Sequence, residues 1–95
     1  MHRIGVSFKS TLTPDEVRTR YIEPLRAAID AEHAGIYSNY LRQAEADPQT
    51  PDEHLMVFNV YEFEAALHIL RMKLQEIGLP GETVFHNLDP SSPMY

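Results

Sequence analysis

Cysteine is absent from this 95-residue chain. That excludes a disulfide framework, a thiol nucleophile and any Cys-based zinc or iron–sulfur site, and it fits a reducing compartment. No apolar run is long enough to span a bilayer, and Met1 to Lys9 lacks the apolar h-region of a signal peptide. The expectation is a cytoplasmic protein with no membrane partner. Basic residues are in deficit: 8 Lys and Arg stand against 14 Asp and Glu, a formal net charge of −6. Nucleic-acid affinity comes largely from Lys and Arg displacing counterions from phosphates, so direct DNA or RNA binding is not expected. A basic protein partner, by contrast, would be steered toward such a surface. The same charge also serves solubility alone.

Other absences narrow the chemistry. There is no Gly-rich phosphate loop, no Cys-x-x-Cys and no repeat of fixed period. The five histidines (His2, His33, His54, His68 and His86) form no His-x-x-x-His pair or tight ligand spacing, and scattered surface residues are their simplest reading. His54 and His86 could still meet across strands. No metal, cofactor or catalytic residue is assigned. Asp52, Glu53, Glu62 and Glu64 bracket one apolar segment and could do acid–base work if desolvated. For Glu62 and Glu64, complementing a helix dipole is the simpler role.

What is present describes shape. Hydrophobic content is 43 %, enough for one cored domain without a metal or disulfide. Arg3 to Lys9 alternates, with Ile4, Val6 and Phe8 on one face, which predicts a half-buried strand. Thr13-Pro14-Asp15-Glu16 predicts a helix start with Thr13 as N-cap, Glu16 completing a capping box, and Leu12 and Val17 forming a hydrophobic staple. An apolar stripe from Val17 to Ile29 follows, interrupted by Pro24. Proline removes a backbone donor, so a kink at Arg20–Pro24 or a restart at Pro24 is expected. Gly35 is expected to end the helix in a left-handed cap. Ile36 to Gln43 reads as an edge or binding strand, Ala46 to Glu53 as a mobile polar loop, and His54 to Tyr61 as a strand apolar on both faces. A second helix starts near Glu62 and stops at Gly78, and Glu82 to Leu88 is a last strand.

The order β-α-β-β-α-β predicts an α+β, ferredoxin-like sandwich over residues 1–88, with a flexible tail over 89–95. Right-handed crossovers put both helices on one face of an antiparallel sheet, with the first and third strands central. Met56, Phe58 and Val60, or their alternates, would then lie on the open face and mark an interface.

Tyr37, Tyr40 and Tyr61 carry large apolar bodies with polar tips, as interface anchors do, although sheet propensity alone also enriches Tyr. Arg42 joins them. With Asp30, Glu32, Glu45, Asp47 and Glu62 supplying charge, they are the expected partner-binding residues.

From Phe58 to Thr83 the sequence resembles small bacterial immunity proteins of polymorphic toxin systems, on Phe58, Val60, Phe63-Glu64, Ala66-Leu67, Leu70-Arg71, Leu74, Gly78, Pro80 and Thr83. The resemblance implies a cytoplasmic, non-enzymatic inhibitor that binds a cognate toxin, here a basic one such as a nuclease, at its active site or an adjacent exosite. The competing expectation is an enzyme or small-ligand binder. Two protomers would pair through their sheet faces as a homodimer, as in dimeric α/β-barrel monooxygenase-like proteins. Met56, Phe58, Val60 and Tyr61 would line the pocket and His54 or His86 would be its polar group.

Overall fold

A computed structural model of the chain describes residues 1–47, 49–79 and 81–88. The expected tail at 89–95 lies outside the described residues. The fold is α+β, a four-stranded antiparallel sheet backed by helices. Strands β1 (His2–Ser10), β2 (Gly35–Gln43), β3 (Asp52–Val60) and β4 (Thr83–Asn87) are arranged in the order β2-β3-β1-β4. Between β1 and β2 runs a helical rod of three stretches: α1 (Pro14–Val17), a π-helical segment (Arg18–Ile22) and α2 (Glu23–Ala31). Helix α3 (Phe63–Ile77) joins β3 to β4.

The rod starts where the sequence places it. Thr13 Oγ1 accepts from the Glu16 amide at 3.2 Å, and Glu16 Oε1 accepts from the Thr13 amide at 3.0 Å. These reciprocal bonds satisfy donors that the first helical turn cannot pair internally. They also hold the Glu16 carboxyl below its ordinary value of 4.5, chiefly through the Thr13 backbone bond, with Arg20 assisting. The interruption falls at the expected place but as a widened turn: α2 resumes at Glu23 after the π-helical segment, with Pro24 in its first turn. The backbone stays right-handed through Val17, Arg18, Ile22 and Glu23, and the turn before Pro24 widens, so that the Glu23 amide donates to the Arg18 carbonyl. Proline has no amide to donate and its ring would press on the carbonyl four residues back; a π turn relieves both problems.

The helix end differs from expectation. Gly35 is not the left-handed cap: His33 takes that conformation, with φ of 51°. The His33 amide donates to the Asp30 carbonyl at 3.1 Å and the Ala34 amide to the Ile29 carbonyl at 3.0 Å, the bond pair of a Schellman ending. Gly35 instead opens β2, where a Cβ would come within 2.2 Å of the Asn59 carbonyl oxygen. Glycine is needed there for close approach of two backbones. At the end of α3, Gly78 has φ of 96° and its amide caps the Leu74 carbonyl at 2.9 Å.

The core lies between sheet and helices. Ile4, Val6 and Phe8 of β1 and Met56, Phe58 and Val60 of β3 meet Leu25 and Ile29 of α2 and Ala66, Leu70 and Leu74 of α3, all buried. Burying each large apolar side chain contributes roughly 1.5–3 kcal/mol. Met56, Phe58 and Val60 therefore face the helices, not the open side of the sheet. Their alternates, Leu55 and Val57, take the open face because side chains on a strand point to opposite faces in turn. Strand β3 also starts earlier than expected: Asp52 and Glu53 pair with Ser10 and Lys9 of β1 and leave the polar loop shorter.

Candidate functional site

Strand β2 is an edge strand, and its period-two pattern is broken by a bulge between Tyr37 and Asn39. Residues 37 and 40 would ordinarily face opposite ways. One extra residue restores the phase, so Tyr37 pairs with Phe58 and Tyr40 with Met56, and both rings face the helix layer. Tyr37 meets Phe58 edge-on at 5.7 Å between centroids. Tyr40 reaches further along, to His54.

His54 is fully buried. Its ring stacks on Phe8 at 5.1 Å and on Tyr40 at 5.9 Å, with interplanar angles of 20° and 16°. Nε2 lies 3.0 Å from the Ser10 carbonyl oxygen and Nδ1 lies 2.5 Å from the Tyr40 hydroxyl. A carbonyl oxygen can only accept, so Nε2 carries the proton and donates. In the neutral ring Nδ1 then accepts from Tyr40. Both ring nitrogens are satisfied, as burial requires. Burial pushes the Tyr40 phenol above its ordinary value; Asp52 adds to the rise and Arg42 opposes it. Burial raises Tyr37 likewise, against Arg18 and Arg26. Tyr40 thus keeps the proton it donates to His54. The arrangement ties β2 to β1 and β3, and Arg42 adds an ion pair to Asp52 at 3.2 Å.

The expected partner-binding residues divide into groups instead of forming one surface. Tyr37 and Tyr40 are half-buried and engaged in the fold, and Arg42 pairs with Asp52. At the β2–β3 turn, Glu45 lies 3.9 Å from Lys9, and Asp47 folds back so that Oδ1 accepts from the Gln49 amide at 2.9 Å. At the other end of β2, roughly 26 Å away at about 3.3 Å per residue, Glu32, Tyr61 and Glu62 line one shallow pocket of about 320 Å³ with His33, Ala34, Ala65 and Ile69. Tyr61 is 62 % exposed, while its amide donates to the Ala34 carbonyl at 3.0 Å. Asp30 is exposed in the last turn of α2, close in sequence to Glu32.

The histidines expected at the surface are not all there. His54 and His86 do not meet, because they lie on opposite faces of the sheet. His86 is on the open face, where Nε2 lies 2.7 Å from the buried Ser7 hydroxyl. The sequence carried a signal for His54. It stands two residues before Met56, in phase with Phe58 and Val60, so the strand period puts it on their face, and the packing of α2 and α3 makes that face the buried one. Ser7 and His86 carried none, being separated by most of the chain. Among the described residues no group of three His, Asp or Glu side chains is placed to hold a metal ion, and no helix is long and apolar enough to cross a membrane.

Comparison with protein families, characterised proteins and solved structures finds no match to this chain.

Proposed function

We propose that this chain is an acidic, non-enzymatic protein-binding module on a ferredoxin-like frame that neutralises a basic partner, a toxin or nuclease, in the manner of an immunity protein. The succession of elements and the sheet order β2-β3-β1-β4 support the frame. The pocket at the β3–α3 junction supports the binding role. Its lining brings together an exposed aromatic, Tyr61, and two carboxylates, Glu32 and Glu62. A tyrosine has two side-chain torsions to fix for a large amphipathic contact area, which suits Tyr61 as an anchor. The flanking carboxylates suit a Lys or Arg of the partner and its electrostatic capture. Tyr37 and Tyr40 support the site indirectly by fixing β2, whose first residues lead into the pocket wall.

The experiment is binding of the purified partner, once captured, to variants of this pocket. Tyr61→Ala should weaken affinity by at least about 30-fold, the level of a hot-spot residue. Glu62→Lys should slow association and flatten its salt dependence. Affinity unchanged in both variants would remove the pocket from the interface.

A further inference from the structure

The open face of the sheet reads as a set of cross-strand rows. In one row Leu41, Leu55, Ser7 and Val84 lie side by side from β2 to β4. In the next stand Asn39, Val57, Gly5 and His86. Toward the β2–β3 turn, Glu53 sits between Gln43 and Lys9. Among the described residues no helix covers this side. Leu41 and Val84 are 53 % and 51 % exposed, and Ile36 further along is 53 % exposed. Leu55 and Leu88 lean over Gly5, where an added Cβ would meet their Cδ1 atoms at 2.9 and 2.8 Å. Val57, Gly5 and Ser7 in the middle of the face are buried, and the exposed apolar side chains, Leu41, Ile36 and Val84, stand on the two edge strands.

We infer that this face is the interface for a second copy of the chain, packed face to face about a two-fold axis that runs along the strands between β1 and β3. The face is self-complementary, as an isologous interface requires because each patch meets itself. Such an axis keeps every row and reverses the strand order. It sets Leu41 against Val84 of the partner, apolar on apolar. It sets Glu53 against Lys9 of the partner, acid on base, twice over. It brings Asn39 of the partner to the Ser7–His86 pair, which gains an amide that its own chain does not place there. A two-fold across the strands instead would set Lys9 over Arg3 of the partner, like on like, at two places. Strands of about nine residues spaced about 4.8 Å apart give roughly 500 Å² of projected face per protomer; Val57, Gly5 and Ser7 at its middle are already buried in the single chain, so the contact is a small one of the weak, exchanging kind. The Tyr61 pocket lies beyond the end of β3 on the helix side, so pairing leaves it open, and this inference stands or falls apart from the proposed function.

The chain's lack of cysteine makes the test clean. Sedimentation velocity on the full chain should give about twice the 10.9 kDa chain mass, and Leu41→Glu with Val84→Glu should return it to a monomer with an unchanged circular dichroism spectrum. Mixing Leu41→Cys protein with Val84→Cys protein in the presence of a short bismaleimide, which spans the roughly 10 Å between packed sheets, should yield a cross-linked dimer, whereas neither alone should self-link, since equivalent residues sit at opposite edges. A monomer at millimolar concentration, or a dimer in which Leu41→Cys links to itself, would overturn the inference.

Discussion

The Tyr40 hydroxyl lies 2.5 Å from His54 Nδ1, although the cross-strand partner of Tyr40 is Met56 and that of His54 is Arg42. The bond is diagonal across the β2–β3 ladder, and the bulge at Ser38 puts Tyr40 on the side where it can form. It closes a polar chain from Tyr40 through His54 to the Ser10 carbonyl inside an apolar layer.

Tyr40→Phe keeps the ring and removes the donor, leaving Nδ1 of a buried imidazole unpaired. The expected loss is about 1–3 kcal/mol, and for a domain of this size each kcal/mol lowers Tm by about 4–8 °C. Urea melts of Tyr40→Phe, His54→Leu and the double variant should show a coupling of at least about 0.5 kcal/mol. Additive losses would mean that the hydrogen bond contributes nothing.

His33→Gly should stabilise the protein. A residue with a Cβ pays about 1 kcal/mol for the left-handed conformation that His33 adopts, and glycine does not. The midpoint of urea unfolding should rise. Gly35→Ala, two residues on, should do the reverse and cost several times more, because its Cβ would strike the Asn59 carbonyl.

The capping box gives stability a dependence on acid. The Glu16 carboxyl is held below 4.5 in the folded chain, so its contribution is complete above that value and is lost as pH falls through the lower folded one. Glu16→Gln should flatten the stability profile below pH 4.5 while leaving the fold intact. Thr13→Ala should cost about 1 kcal/mol at neutral pH. A wild-type slope equal to that of Glu16→Gln would assign the acid sensitivity to other carboxylates.

Charge should act unequally along β2. Glu45 is already paired with Lys9, so Glu45→Lys with Asp47→Lys should change association with a basic partner by less than Glu32→Lys with Glu62→Lys does. Stopped-flow rates at low and high salt decide this, and the larger effect at the β2–β3 turn would move the binding surface there.

The parts of the chain that obey a simple period or a local cap were legible in the sequence. Ile4, Val6 and Phe8 marked β1, Thr13 and Glu16 marked the helix start, and Gly78 its counterpart at the end of α3. What escaped notice depends on contacts between distant residues. Nothing local says that Ser38 is bulged, yet that one residue decides the facing of Tyr37 and Tyr40. Nothing local separates a glycine needed for φ from one needed for close approach, so Gly35 took the role that His33 fills. The two faces of β3 look alike in composition, and only the packing of α2 and α3 distinguishes Met56, Phe58 and Val60 from Leu55 and Val57. Residue type and proximity in sequence are all that point to the binding residues before the chain folds. Folding separates them, and only Glu32, Tyr61 and Glu62 come together in one pocket.

The central claim is that a basic protein binds the Tyr61 pocket. The most direct measurement is affinity capture of the tagged full chain from its source cells, beside a Tyr61→Ala, Glu62→Lys variant, with bound proteins identified by mass spectrometry at low and high salt. The account predicts one stoichiometric basic protein, held by the wild type at low salt, released at high salt and absent from the variant. Recovery of the same protein in equal amount by the variant, or of no protein besides the chain itself, would contradict it.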